Sequence, residues 1–372
     1  MKSDVNELQM EPVATSAGTT EKRFASWFLL LAALVFIVVV WGAIVRLTGS
    51  GLSIPEWPII NGSPLPPLTH DDWLAVYKTY YLEVHNVTDI QASGVMPLGE
   101  FQTMFAIEYI HRSIAAVVGI LFLALFVQTL RHDVLRRNVG AILTIALVML
   151  VAQVFLGAVV VKQELRAELV SLHLAAAYLF FGLILWSYLK LSQSPRTFGQ
   201  TQTLIAQMSS SKNLSVAAWF TAVVLLAQII SGGLMAGSGA GYTLNTFPKI
   251  GNVWVPAASI LVSESYGGFV ANLFRNQVLI QFIHRWWVLA VIVGIALVHV
   301  ASMKRNLPPR GRLAVMAACT VLVLQLLLGI GNLVMKVPFF LSAIHSATAL
   351  VLFALILIVT YESRFERGIA DA

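Results

Sequence analysis

Eight runs of roughly 20 apolar residues recur along the chain, separated by charged or Pro- and Gly-rich segments. A hydrocarbon layer about 30 Å thick is crossed by roughly 20 helical residues, and a backbone in lipid must satisfy its own N–H and C=O groups. Runs of this length predict membrane-spanning helices over 27–47, 104–130, 138–160, 168–189, 214–236, 277–302, 313–335 and 339–361. With 58% of its 372 residues hydrophobic and 11% charged, the chain is more apolar than a soluble core of its size requires. The expected fold is an all-α integral membrane protein.

The formal charge of +6 is not gathered on one soluble face, which argues against a nucleic-acid partner. Lys22, Arg23, Arg131, Arg136, Arg137, Lys190, Arg196, Lys212, Lys304, Arg305, Arg310, Arg312, Arg364 and Arg367 all fall on one side of the predicted spans. The positive-inside rule makes that side cytoplasmic and places both termini inside, in a bacterial inner membrane. The first 26 residues carry Asp4, Glu7, Glu11 and Glu21, unlike a transit peptide, and the first apolar run is too long for a signal-peptide core. Cys319, the single cysteine, lies inside the seventh span as a small apolar residue, so the chain can form no internal disulfide or multi-thiolate metal site.

The chain repeats itself. Gln153 to Val160 is echoed by Gln325 to Asn332, 172 positions on, and the segment Glu108-Tyr109-Ile110-His111-Arg112 by Gln281-Phe282-Ile283-His284-Arg285, 173 positions on. Residues 41–52 match 232–242, each followed by an aromatic-Pro pair, Trp57-Pro58 and Phe247-Pro248. Four spans per copy make the copies parallel, two tandem four-helix bundles related by internal duplication, an arrangement that disfavours an inverted-repeat transporter. The expected division is a cytoplasmic tail (1–26), an N-terminal half (27–190), a cytoplasmic linker (191–213), a C-terminal half (214–361) and a short tail (362–372). Long loops at 48–103 and 237–276 would cap the outer face, with 71–81 as an interfacial amphipathic helix.

His111, His173, His284 and His345 fall within the first two turns or so of the outer ends of spans two, four, six and eight, two per copy. Alternate helices of a four-helix bundle face each other across its core, the placement that two axial imidazoles need on either side of a haem. A packing or hydrogen-bonding role is the plainer alternative for any one of them. A bare zinc or iron ion would want more ligands at one point. His70, His85, His132 and His299 read as surface or interfacial; His299 lies about 22 Å deeper than His284 at 1.5 Å per residue.

The copies differ at one telling position. Glu108 precedes His111 by three residues on the same helix face, and its counterpart is Gln281. A carboxylate at the hydrocarbon boundary is costly unless it has a partner or moves protons, and a glutamine cannot move them. The asymmetry points to one catalytic and one electron-transfer half; a structural ion pair of Glu108 with Arg112 or Arg46 is the competing reading. Arg112 and Arg285 would suit haem propionates, or simply snorkel. Gly157 and Gly329 would let a macrocycle, or another helix, approach closely.

The segment Arg46 to Ser53, the Pro64-Leu65-Pro66-Pro67 run, Glu108 to Arg112 and the paired histidines resemble the haem A synthase family (CtaA/Cox15-like) over roughly residues 25–360, in a form without an outer-loop cysteine pair. The resemblance implies oxidation of the C8 methyl of haem O to a formyl group, giving haem A for terminal oxidases. It implies that Glu108, His111 and His173 serve the substrate haem, and that His284 and His345 hold a permanent haem b. Arg112, Arg285 and Arg46 are candidate propionate partners. Haem O synthase, cytochrome oxidase assembly factors, an electron acceptor, membrane lipid and a second copy of the chain are candidate partners. A di-haem b-type cytochrome for quinone-linked electron transfer, or a haem-handling transporter or assembly factor, would use the same histidines.

Overall fold

The computed structural model describes residues 14–60, 62–63, 65–85, 96–192, 212–303 and 305–364. The N-terminal tail up to residue 13, most of the 191–213 linker and the tail beyond 364 lie outside the described residues, as do Pro64 and Lys304. Among the described residues eleven α-helices follow one another: α1 (Ala14–Leu47), α2 (His70–His85), α3 (Leu98–Arg131), α4 (Asp133–Lys162), α5 (Ala167–Leu191), α6 (Lys212–Ser238), α7 (Ala258–Leu261), α8 (Phe269–Arg275), α9 (Gln277–Met303), α10 (Pro309–Val334) and α11 (Phe339–Glu362). Eight are long and apolar enough to cross a membrane, matching the eight expected spans, and the chain is a multi-pass membrane protein.

Several helices begin one or more turns before the apolar runs do, α1 by 13 residues and then α3 by six. The extra outer turns of α3 are stabilised by α2, whose Val76, Tyr77, Tyr80 and Tyr81 are buried with Phe101 and Phe105. The segment expected at the interface is therefore a helix, but its apolar side packs against α3. Thr69 and Asp72 form a reciprocal cap at its start, Thr69 N–H to Asp72 Oδ2 at 3.1 Å and Asp72 N–H to Thr69 Oγ1 at 3.2 Å. Those bonds hold the Asp72 carboxyl below its usual range. Burial, with Tyr81 beside it, pushes the Tyr77 phenol up, keeping it a donor to the Met96 carbonyl.

Helices α1, α3, α4 and α5 close one four-helix ring, and α6, α9, α10 and α11 close another. The rings share a wall in which α1 and α5 meet α6 and α11. Small residues set the close approach there. A Cβ on Gly237 would stand 2.6 Å from Ala167 Cα, and one on Gly233 would stand 3.0 Å from Ser171 Cα, while the Ser171 hydroxyl donates to the Ile230 carbonyl at 2.6 Å.

The two halves repeat the same local geometry. α1 and α6 both end at a glycine in the left-handed region, Gly49 and Gly239, each at φ 68°, where an L side chain would be strained. The short connections after α4 and α10 carry left-handed pairs at matching places, Glu164 with Leu165 and Lys336 with Val337. Leu165 fills the space over Gly51, as Val337 does over Gly241.

Candidate haem-binding sites

Each half brings two histidines from non-adjacent helices of its ring, His111 on α3 with His173 on α5, and His284 on α9 with His345 on α11. The members of each pair lie within electrostatic reach of one another. Three of the four stand within the first two turns of their helices, as the sequence suggests. His111 does not: α3 starts at Leu98, so His111 lies about 20 Å along it at 1.5 Å per residue. The reason is the outward extension of α3 under α2. In the second half the same stretch is interrupted at Asn276, whose side chain accepts from Val278 N–H at 3.0 Å and donates to Ile260 O at 2.7 Å.

Every histidine ring rests against a glycine of a neighbouring helix. A Cβ on Gly42 would lie 3.2 Å from His111 Nε2, one on Gly157 3.4 Å from His173 Cε1, one on Gly232 3.3 Å from His284 Cε1, and one on Gly329 3.0 Å from His345 Cε1. The missing side chains make room for imidazoles inside the rings. Gly157 and Gly329 were legible from the repeat; Gly42 and Gly232 were not singled out, although they recur at corresponding positions of α1 and α6.

The residues present suit a bis-histidine haem. His173 Nδ1 and His345 Nδ1 are buried without a hydrogen-bond partner, and paired imidazoles on facing helices are the donor set that such a group takes. Among the described residues no three His, Cys, Asp or Glu side chains converge on one point. His70, His132 and His299 are exposed, in line with their surface reading; nothing is described of the His85 side chain.

Glu108 and Gln281 occupy matching clamps between the second-span helix and the outer loop. Glu108, 3% exposed, accepts from Ser53 Oγ at 2.7 Å and from Ile54 N–H at 2.9 Å, both at Oε2, and pairs through Oε1 with Arg112. Arg112 also donates to Ile54 O at 2.8 Å and lies over the Trp57 ring. Gln281, 0% exposed, donates to Ala240 O at 2.8 Å and to Thr243 O, and accepts from Arg285 at 2.6 Å. Arg285 in turn donates to Leu244 O at 2.8 Å. The loop groups differ accordingly: donors face the acid, and carbonyls face the amide. Of the two ion pairs in the competing reading, that with Arg112 is present, whereas Arg46 donates across the shared wall to Gly237 O at 3.3 Å. Nε of Arg46 and Nε of Arg285 are buried and unpartnered.

Side chains that the sequence reading passed over surround the second pair. Ser231 Oγ lies 2.8 Å from His284 Nδ1. Gln228 donates to the His284 carbonyl at 3.0 Å, and Gln325 Nε2 lies 3.4 Å from His345 Nε2. Their polarity in the middle of apolar helices was the available signal.

The four glycines should not tolerate alanine equally. At Gly157 the added methyl would meet ordinary van der Waals contact, whereas at Gly329 it would press on His345. Overpacking costs about 1–3 kcal/mol. Gly329→Ala is expected to lower haem retained per mole of purified protein, and Gly157→Ala to leave it near wild type, as measured by Soret absorbance.

Residues 25–357 match the family model COX15-CtaA, described as cytochrome oxidase assembly protein. A protein named Heme A synthase from Rhizorhabdus wittichii is 32% identical over 341 residues, covering 90% of this chain and 92% of that protein. One of the same name from Nitrosospira multiformis is 32% identical over 353 residues, covering 92% and 94%. Another from Rhodopseudomonas palustris is 30% identical over 345 residues, covering 90% and 88%.

Proposed function

Because the chain belongs to the COX15-CtaA family, we propose that it is a haem A synthase, a membrane oxidoreductase that converts the C8 methyl of haem O to the formyl group of haem A for terminal oxidases. The observation that carries this reading is the exchange of Glu108 for Gln281 in two otherwise matching clamps beside paired histidines. It gives one half an acid where the other has none.

In this reading 27–190 is the substrate half and 214–361 the electron-relay half. His111 and His173 hold haem O, and His284 and His345 hold a permanent haem b, which supplies one-electron transfer when bound. Gly42 and Gly157 give the imidazoles space on the substrate side. Glu108 takes up protons released as that methyl is oxidised, and the Ser53 hydroxyl on its Oε2 is the first step toward the outer loop. Arg46 and Arg285, each with a buried unpartnered Nε, and Arg112 are the cations for the propionates.

The basic residues gathered on one side of the spans support, by the positive-inside rule, a reading with both termini in the cytoplasm and the haem sites toward the outer face of a bacterial inner membrane. Haem O synthase and oxidase assembly factors are the partners this reaction calls for, with an electron acceptor and a second copy of the chain as further ones. The test is to produce the full chain with a source of haem O, extract the pigments and identify them by chromatography and mass. Haem A is expected; its absence from a preparation that binds haem overturns the proposal.

A further inference from the structure

The second-half histidine on α9 is held by a hydroxyl. Ser231 Oγ lies 2.7 Å from the Gln228 carbonyl and 2.8 Å from His284 Nδ1. A hydroxyl has one proton to give. With that proton on the Gln228 carbonyl, Oγ is an acceptor toward the imidazole, which a hydrogen on His284 Nδ1 and a lone pair on Nε2 satisfy; Gln228 Nε2, 3.2 Å from Nδ1 and 3.4 Å from Nε2, makes its shortest bond to the His284 carbonyl at 3.0 Å.

The first half is built otherwise. There Trp41 stands where Ser231 stands, and its indole N–H is committed to Ile107 O at 2.9 Å. The residue corresponding to Gln228 is Val38, whose side chain has no hydrogen-bonding group. Gly232, four residues on from Gln228, puts no side chain beside the Gln228 carbonyl and leaves the His284 ring room against α6. Among the described residues the hydroxyl link to an imidazole is a feature of the second half.

We propose that Ser231 is a positioning residue that fixes the tautomer of His284, aims Nε2 into the ring and sets the reduction potential of the haem held there. The physical basis is the outer-shell effect on metal-bound imidazole: an acceptor on the far N–H orients the ring and makes the ligand more basic, which favours the oxidised metal. The inference rests on the assignment of a haem to His284 and His345.

The test uses the full chain purified with its haem, in a His111→Ala background so that the second-half haem alone is followed. Optical redox titration and low-spin electron paramagnetic resonance are recorded for Ser231→Ala, Ser231→Thr and His284→Ala. Ser231→Ala is expected to move the midpoint potential positive and alter the low-spin signal, and Ser231→Thr, which keeps the hydroxyl, to restore both. Loss of the haem signal in His284→Ala is expected as well. If His284→Ala keeps that signal, the assignment beneath the inference fails and the inference with it. If His284→Ala loses it but Ser231→Ala titrates as its parent does, the role of Ser231 alone is overturned.

Discussion

Glu108→Gln is expected to slow haem A formation by about 10²–10⁴-fold, the usual worth of a positioned acid or base, with haem content close to wild type. The surroundings of the side chain say why the amide is a poor substitute here and a good one in the other half. Gln281 gives its two N–H donors to the Ala240 and Thr243 carbonyls and takes the Arg285 guanidinium on its oxygen. Glu108 meets donors on both oxygens: Ser53 and Ile54 on one, Arg112 on the other. A glutamine in that clamp must turn its NH₂ toward a donor, and an unmatched buried group costs about 1–3 kcal/mol. Some loosening of the loop therefore accompanies loss of the acid. Ser53→Ala separates the two effects, since it removes one hydrogen bond from the carboxylate and keeps the acid. Its expected rate loss is much the smaller of the two. A Glu108→Gln chain that makes haem A at the wild-type rate would show the carboxylate to be a loop anchor only.

His284→Ala and His345→Ala are expected to strip the haem that accompanies the purified chain and to take haem A formation below detection. Each substitution removes one axial ligand from a site whose other donor stands on a facing helix, and leaves a cavity where the ring met Gly232 or Gly329. His111→Ala and His173→Ala are expected to abolish haem A formation while the b-type spectrum persists. Because a ligand that binds only the folded state stabilises it by mass action, the second-half variants should also unfold at lower temperature than the first-half ones. Pyridine haemochrome content and a thermal melt of each variant test this. Equal loss of b-type haem from all four variants would remove the distinction between the halves.

The eight spans and the pairing of the histidines were open to reading without coordinates, because both rest on local chemistry. An apolar run long enough to cross a bilayer must be helical, and haem iron takes its axial ligands from a few side-chain types, His, Cys, Met and Tyr, wherever they lie. The Glu108 and Gln281 exchange was visible for the same reason, once the copies were set side by side. The outer reach of α3 was not: its first turns are helical because α2 packs its tyrosines on Phe101 and Phe105, contacts made between segments with no common periodicity. Nor could the sequence choose between Arg112 and Arg46 as partners of Glu108, since that depends on where the end of α1 meets α6.

A helical membrane protein in two similar halves, with an acid in one and an amide in the other, follows from the order of residues. Which glycine face each imidazole meets, and which hydroxyl meets His284, follows only from how the helices pack. The physical reason is reach. Lipid acts on every residue of a span alike, so burial of apolar runs can be read along the chain, whereas a hydrogen bond such as that between His284 and Ser231 needs two helices fixed to within a few tenths of an ångström by packing that involves them all.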